Sequence, residues 1–307
     1  MSDQEYQIRP MGPRDLSRAV ELLNETSAHD VRRVLLSELT GNSTSEPFLA
    51  IVATRAGAVV GAAKLTADPV FPETVSALVS VDANARGIGI GSALVERMDT
   101  GPRLLKGGTA TCSIRDDLPR GRAFAERHGF TVAHHSLGFR FDLTGSGYPL
   151  AERAAETAER AGVRIRRATV ASEEDLILDC FTRCRIGLPL PYGNRPVDVR
   201  ARLLQFPPES VYVLAESSDA GSARPAGMSI LIPEGRNWYV RFTGTDPDFR
   251  GQGVATAVKA ASLLYAQRTG AESVITHNDE SNTPIIRANK ALGMVPDVGY
   301  WSLLRDL

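Results

Sequence analysis

Cysteine is scarce, since Cys112, Cys180 and Cys184 are all that 307 residues contain. An odd count, with no Cys-x-x-Cys pair and no histidine at ligand spacing, argues against a disulfide framework and against a zinc site. The four-residue spacing of Cys180 and Cys184 reads as two small apolar side chains on one helix face. Charge of one sign is lacking too. Thirty-five Lys and Arg face 36 Asp and Glu, a net charge of -1, so no basic field exists to gather nucleic acid or an anionic membrane. No apolar run approaches the roughly 18 residues of a membrane span. The first residues, Met1 to Glu5, are polar and acidic rather than basic and then apolar. A soluble, cytoplasmic protein without nucleic-acid or membrane partners is expected. With 43% hydrophobic residues the chain can bury two cores of ordinary size.

What the chain does have is one pattern written twice. Arg86-Gly87-Ile88-Gly89-Ile90-Gly91 and Arg250-Gly251-Gln252-Gly253-Val254-Ala255 share the form Arg-x-x-Gly-x-Gly/Ala. Each follows an extended run and a polar turn, and each opens an amphipathic helix. A second helix ends at His128-Gly129-Phe130 in one half and at Leu292-Gly293-Met294 in the other, 43 residues after the motif arginine in both. Tyr6-Gln7-Ile8-Arg9 and Val163-Arg164-Ile165-Arg166 begin the two copies. Between them lie a breaker cluster, Thr144 to Pro149, and an Ala-rich stretch ended by Gly162. The expected division is a first domain over residues 1–145, a linker helix over 146–162 and a second domain over 163–307.

Hydrophobic patterning places strands near residues 5–9, 48–54, 57–67, 74–82, 109–113, 130–134 and 136–143 in the first half. In the second they fall near 163–168, 210–217, 226–233, 237–245, 272–277 and 294–304. Short loops between successive strands imply hairpins, while the helix after each glycine turn must cross over between parallel strands. The expected class is α+β, a mixed and mostly antiparallel sheet with helices on both faces.

A helix that opens on glycines leaves its first N–H groups pointing at whatever precedes it, an anion site that glycine lets a pyrophosphate approach closely. Arg86 and Arg250 either add a charged contact or brace the turn. No Gly-Lys-Ser/Thr follows, which disfavours a nucleoside-triphosphate loop. The dinucleotide fingerprint also fails, because Ser92 stands where its third glycine belongs and the turn follows a later strand than the first.

These residues resemble the signature of the GNAT superfamily of N-acetyltransferases. The second-half tail, Thr276-His277-Asn278-Asp279-Glu280-Ser281-Asn282 with Asn289-Lys290-Ala291-Leu292-Gly293, looks like that of tandem GNAT proteins common in actinobacteria, mycothiol synthase among them. The resemblance implies acetyl-CoA as co-substrate, no metal, and transfer to a primary amine of a small molecule by direct attack on the thioester, in a monomer or homodimer. It implies that Val79, Ser80 and Val81, and Thr243, Gly244 and Thr245, pair with the pantetheine arm. The pyrophosphate would lie on Arg86, Gly87, Ile88, Gly89, Ile90, Gly91 and Ser92, and on Arg250, Gly251, Gln252, Gly253, Val254, Ala255 and Thr256. The tyrosine that protonates the thiolate in this family is replaced by Ala125 and Asn289, and the pantetheine asparagine survives as Asn282 but not at Leu118. The second half is therefore the expected catalytic domain. His277 is the candidate base, Asn289 a weak partner of the sulfur region, and Glu216 a group to orient the amine. Tyr192, Tyr239 and Arg241 are the candidate acceptor contacts. His134 and His135 alternate across a strand and cannot share a face as metal ligands. With no tyrosine in either copy, a non-catalytic CoA-binding regulator or scaffold stands as the alternative.

Overall fold

The computed structural model describes residues 6–27, Leu35, 48–67, 73–100, 108–144, 149–189, 198–204, 206–217 and 224–307. The chain divides into two compact units, Met1–His135 with Tyr300–Leu307, and Ser136–Gly299.

In the first unit, β1 (Gln7–Pro10), β2 (Phe48–Arg55), β3 (Ala58–Ala67), β4 (Thr74–Val81) and β5 (Thr109–Arg115) lie side by side in that order. They are antiparallel except for the parallel pair β4–β5. Positive φ at Ala56 and Gly57 makes the β2–β3 connection the two-residue turn that matches strand twist. Alternation along β2 sends Ala50 and Val52 to one face, against Ala19, Leu22 and Leu23 of α1 (Leu16–Asn24). Ile51 and Ala53 go to the other face, against Ile90 and Leu94 of α2 (Ile90–Asp99). Then α3 (Pro119–Arg127) follows β5.

The second unit repeats this plan. Residues from Ser136 on of β6 (Thr131–Asp142) are followed by α4 (Leu150–Arg160), β7 (Val163–Ala168), α5 (Val170–Cys184), α6 (Val199–Leu204), β8 (Val211–Ser217), β9 (Pro225–Glu234) and β10 (Asn237–Thr245). After these come α7 (Val254–Arg268), β11 (Ser273–Asp279), α8 (Thr283–Ala291) and β12 (Val295–Asp306). The strand order is β7-β8-β9-β10-β11-β6, again with one parallel pair, β10–β11. From α2 onward each element of the first copy recurs 164 residues later: Ile90 and Val254, Thr109 and Ser273, Pro119 and Thr283, Thr131 and Val295 begin matching elements.

Three expectations need correction. The stretches 130–134 and 136–143 form one strand, β6. Its residues from Ser136 pair with β11 in the second unit, while Tyr300–Asp306 of β12 pair with β5 in the first. The division therefore falls at His135 and at Gly299, not at 146–162. A strand's alternation declares which face is buried and not which neighbour it joins. The helix expected as an idle linker is also part of a core, since Leu150 and Ala154 of α4 pack with Ala257, Val258 and Leu263 of α7.

Gly138 of β6 shows how tightly the second unit closes. A Cβ there would stand 2.0 Å from the Val298 carbonyl oxygen, a backbone atom that cannot rotate away. Gly138→Ala should cost at least about 1–3 kcal/mol in urea unfolding, as for other overpacked positions.

Candidate active site

Both glycine turns are built by the same devices. Asp82 and Asp246 follow β4 and β10, and each accepts from a backbone N–H two residues on, Asn84 at 2.9 Å and Asp248 at 2.9 Å. Each is also held by an arginine from the helix that follows the first strand of its copy, Arg18 of α1 and Arg183 of α5. The Arg183 hydrogen bond keeps the Asp246 carboxyl below its ordinary range. The motif arginines turn back onto the strand: Arg86 Nε donates to the Val81 carbonyl at 2.8 Å, and Arg250 Nε to that of Thr245 at 3.4 Å. They brace the turn, one of the two roles the sequence left open.

Gly87, Gly89, Gly251 and Gly253 all have φ between 77° and 92°. A side chain would be strained there. No side chain caps the helix that follows, and its first backbone bonds are Ala93 N to Gly89 O and Ala257 N to Gly253 O. The N–H groups of Ile90, Gly91 and Ser92, and of Val254, Ala255 and Thr256, precede those bonds and so have no intrahelical partner. A Cβ on Gly87 or Gly251 would meet nothing within 4 Å. Uncapped donors, a helix dipole and open space fit a pyrophosphate in either unit.

Beside each turn the sheet opens. The β4–β5 pairing ends at Ser76↔Thr111, so the edge of Val79, Ser80 and Val81 toward β5 is unpaired. The β10–β11 pairing ends at Val240↔Thr276, which leaves the same edge of Thr243, Gly244 and Thr245. Each run keeps its partners on the other side, in β3 and β9.

One difference separates the units. β4 pairs with β3 without interruption, whereas β10 is bulged between Val240 and Phe242. Leu65↔Ala77 and Lys64↔Leu78 correspond to Leu231↔Val240 and Ile230↔Phe242, so Arg241 is the added residue. A bulge bends its strand and re-aims the groups beside it, and is common next to active sites. Arg241 is thus the bulged residue, directly after the last β10–β11 pair at Val240↔Thr276.

Residues 174–294 match the model of the acetyltransferase (GNAT) family. The chain carries a GNAT acetyltransferase domain, and the GNAT fold occurs in it twice. A curated mycothiol acetyltransferase of Geodermatophilus obscurus is 25% identical over 291 residues, 90% of this chain and 89% of that protein. Another, of Sanguibacter keddieii, is 28% identical over 233 residues, 72% and 71% of the two chains. A GCN5-related N-acetyltransferase from Sphaerobacter thermophilus superposes with a TM-score of 0.74 at 18% identity, covering 100% of this chain and 97% of that one. A tandem GNAT protein from the clavulanic acid biosynthesis pathway gives 0.71 at 19% identity, with 98% of both chains covered. The GNAT family uses acetyl-CoA as co-substrate.

Within the GNAT domain the structure redistributes the other candidates. His277 Nε2 lies 3.0 Å from the Val298 carbonyl and must donate to it. Its Nδ1 is then the acceptor, and the Tyr239 hydroxyl fills it at 3.1 Å. Both ring nitrogens are engaged, so His277 is no free base, and Tyr239, 5% exposed, does not face an acceptor. Burial also pushes the Tyr239 phenol up. Glu216 accepts from Arg164 at 2.7 Å and Arg166 at 2.6 Å. Burial opposes its charge, but those two guanidiniums hold the carboxyl below its ordinary value. It anchors β7 to β8, with each carboxylate oxygen engaged by a guanidinium rather than held out for an amine. Tyr192 lies outside the described residues.

Asn289 is wholly buried rather than open to the sulfur region. Its Oδ1 accepts from Lys259 of α7, and its Nδ2 donates to Asn278 Oδ1 of β11 at 2.8 Å. Lys259 is 2% exposed, and desolvation drops its pKa to about 7. Asn282 is half-buried at the start of α8, with its side chain not used as a cap. Sequence reasoning missed Lys259 and Asn278. The signal was there, a lysine between Ala257-Val258 and Ala260-Ala261 on a helix otherwise apolar on that face. The two buried cysteines bear out the apolar reading, with sulfurs 3.9 Å apart. His135 stacks on Trp301 and bonds Asp116, a structural role. Among the described residues no helix is long and apolar enough to cross a membrane, and no cluster of His, Cys, Asp and Glu could hold a metal ion.

Proposed function

We propose that the second unit transfers the acetyl group of acetyl-CoA to a primary amine of a small molecule. The bulged β10 leading into an uncapped glycine turn is the observation that supports this, because only there do the open strand edge, the anion turn and the bulge coincide. The turn from Arg250 to Thr256 would hold the pyrophosphate, and Thr243 to Thr245 the pantetheine amides. Bound acetyl-CoA supplies an activated carbonyl. The amine nitrogen adds to that carbon, the C–N bond forms and the C–S bond breaks, and the proton that the nitrogen sheds passes through solvent to the departing thiolate, leaving an amide and free CoA. Asn282, half-exposed and free of a capping duty, is suited to donate to the pantetheine arm. With no phenol at position 289 and His277 fully bonded, orientation carries much of the rate, a contribution of roughly 7–11 kcal/mol where reactants are well aligned.

Relatives named mycothiol acetyltransferase favour a small-molecule acceptor over a protein one. The first unit, with its turn but neither bulge nor asparagine, is read as a copy that binds CoA esters without transferring from them. Thiol release from acetyl-CoA, followed against a panel of small primary amines and amino sugars, tests the reading. At least one amine should raise release well above hydrolysis; release that no amine accelerates contradicts transfer.

A further inference from the structure

The first unit contains a cavity of about 100 Å³ at the place where β4 and β5 part. Leu78 and Val79 line it from β4, Ile114 from β5, Val95 from α2, and Leu118 and Ala125 from the α3 segment. Four of these positions have counterparts 164 residues on: Val95 matches Lys259, Ile114 Asn278, Leu118 Asn282 and Ala125 Asn289. In the second unit, Lys259, Asn289 and Asn278 form a hydrogen-bonded row. In the first, every one of the four is apolar. The unit has exchanged a polar floor for an apolar hollow.

That hollow adjoins the anion turn. The ring of Phe124, also on its wall, lies 3.1 Å from where a Cβ on Gly91 would stand, and Gly91 is in the first turn of α2. Cys112 lines the cavity, but burial pushes its thiol up to about 12, so it stays protonated and inert. The charged groups on the wall, Asp99 and Arg305, pair with each other, and Arg305 Nη1 also donates to the His128 carbonyl at 3.1 Å. His128 Nε2 is taken by Ser92 Oγ at 3.1 Å.

We propose that the first unit is a binding site for the aliphatic acyl group of a CoA thioester longer than acetyl, held there and not transferred. Apolar cavities of this kind stay dry and take apolar guests, and this one has room for about three water-sized groups, hence for the two methylenes and methyl that distinguish butyryl from formyl. The proposal rests on the reading that the Arg86–Ser92 turn takes the CoA pyrophosphate.

The full chain carrying Thr256→Glu, which sets a carboxylate in the second turn, isolates the first site for titration calorimetry. Free CoA, acetyl-CoA, propionyl-CoA and butyryl-CoA are titrated in turn. Each added methylene should tighten binding about fourfold, the factor for burying one CH₂, so butyryl-CoA should bind at least tenfold tighter than acetyl-CoA. Ala125→Leu, which fills the hollow, should erase that gain while free CoA still binds. Equal affinity for acetyl and butyryl esters overturns the acyl site and leaves the pyrophosphate reading standing. Absence of binding by every ester, free CoA included, overturns the pyrophosphate reading in this unit and the acyl site with it.

Discussion

Thr256→Glu should lower kcat/KM for acetyl-CoA by on the order of 100-fold or more, while Ser92→Glu, the matching change in the first unit, should cost at least tenfold less turnover. Both residues occupy the third position of an uncapped helix, where a carboxylate favours the dipole, so neither change should harm folding. Both carboxylates would compete for the free N–H groups and repel a pyrophosphate. Hydrogen bonds to a charged group contribute about 1.5–3 kcal/mol each, and losing two of them accounts for two orders of magnitude or more. Initial rates over a range of acetyl-CoA concentration read the first effect, and calorimetric stoichiometry should show one site lost in each variant. Equal loss of rate from the two substitutions contradicts the assignment of transfer to the unit with the bulged strand.

Stability should climb with pH in a way that Lys259→Met abolishes. Lysine ordinarily titrates near 10.4, and desolvation brings Lys259 down to about 7. Between those values the unfolded chain holds a proton that the folded chain lacks, so ΔG of unfolding rises with pH, by up to about 1.4 kcal/mol per unit. Below pH 7 both states are protonated and this contribution is flat, with the cost of burying the charge fully present. From pH 7 to 9.5 the difference between wild type and Lys259→Met should change by about 3 kcal/mol in favour of the wild type. The methionine variant removes the titrating group but leaves Asn289 Oδ1 without its donor, a fixed cost of about 1–3 kcal/mol that does not vary with pH. Urea unfolding at several pH values separates the two. A constant difference across that range means that Lys259 is not held near neutrality by burial.

Several features were legible in the residues before any coordinates. Equal spacing from Arg86 to Gly129 and from Arg250 to Gly293 announced the repeat, and the glycines at 87, 89, 251 and 253 do adopt the left-handed backbone that only glycine takes without strain. Hydrophobic alternation located the strands within a residue or two, because which face is buried is written in each strand's own side chains. The catalytic candidates differ in this. His277 as base, Glu216 as the group orienting the amine and Asn289 at the position of the family tyrosine each spend their hydrogen bonds inside the fold, on Val298 and Tyr239, on Arg164 and Arg166, and on Lys259 and Asn278. A side chain's partner can lie anywhere in the chain, so no local pattern predicts that engagement.

The sequence by itself determined the doubling, the two glycine turns and the positions of most strands and helices, since backbone conformation and burial period are local properties. The tertiary structure decided the rest. It closed each unit with the other copy's final strand, β6 beside β11 and the end of β12 beside β5. It also put the one added residue of β10 at Arg241 as a bulge, and joined Lys259 to an asparagine thirty positions away. Those choices depend on which distant segments pair and what they exclude from water, and that is settled only when the whole chain packs.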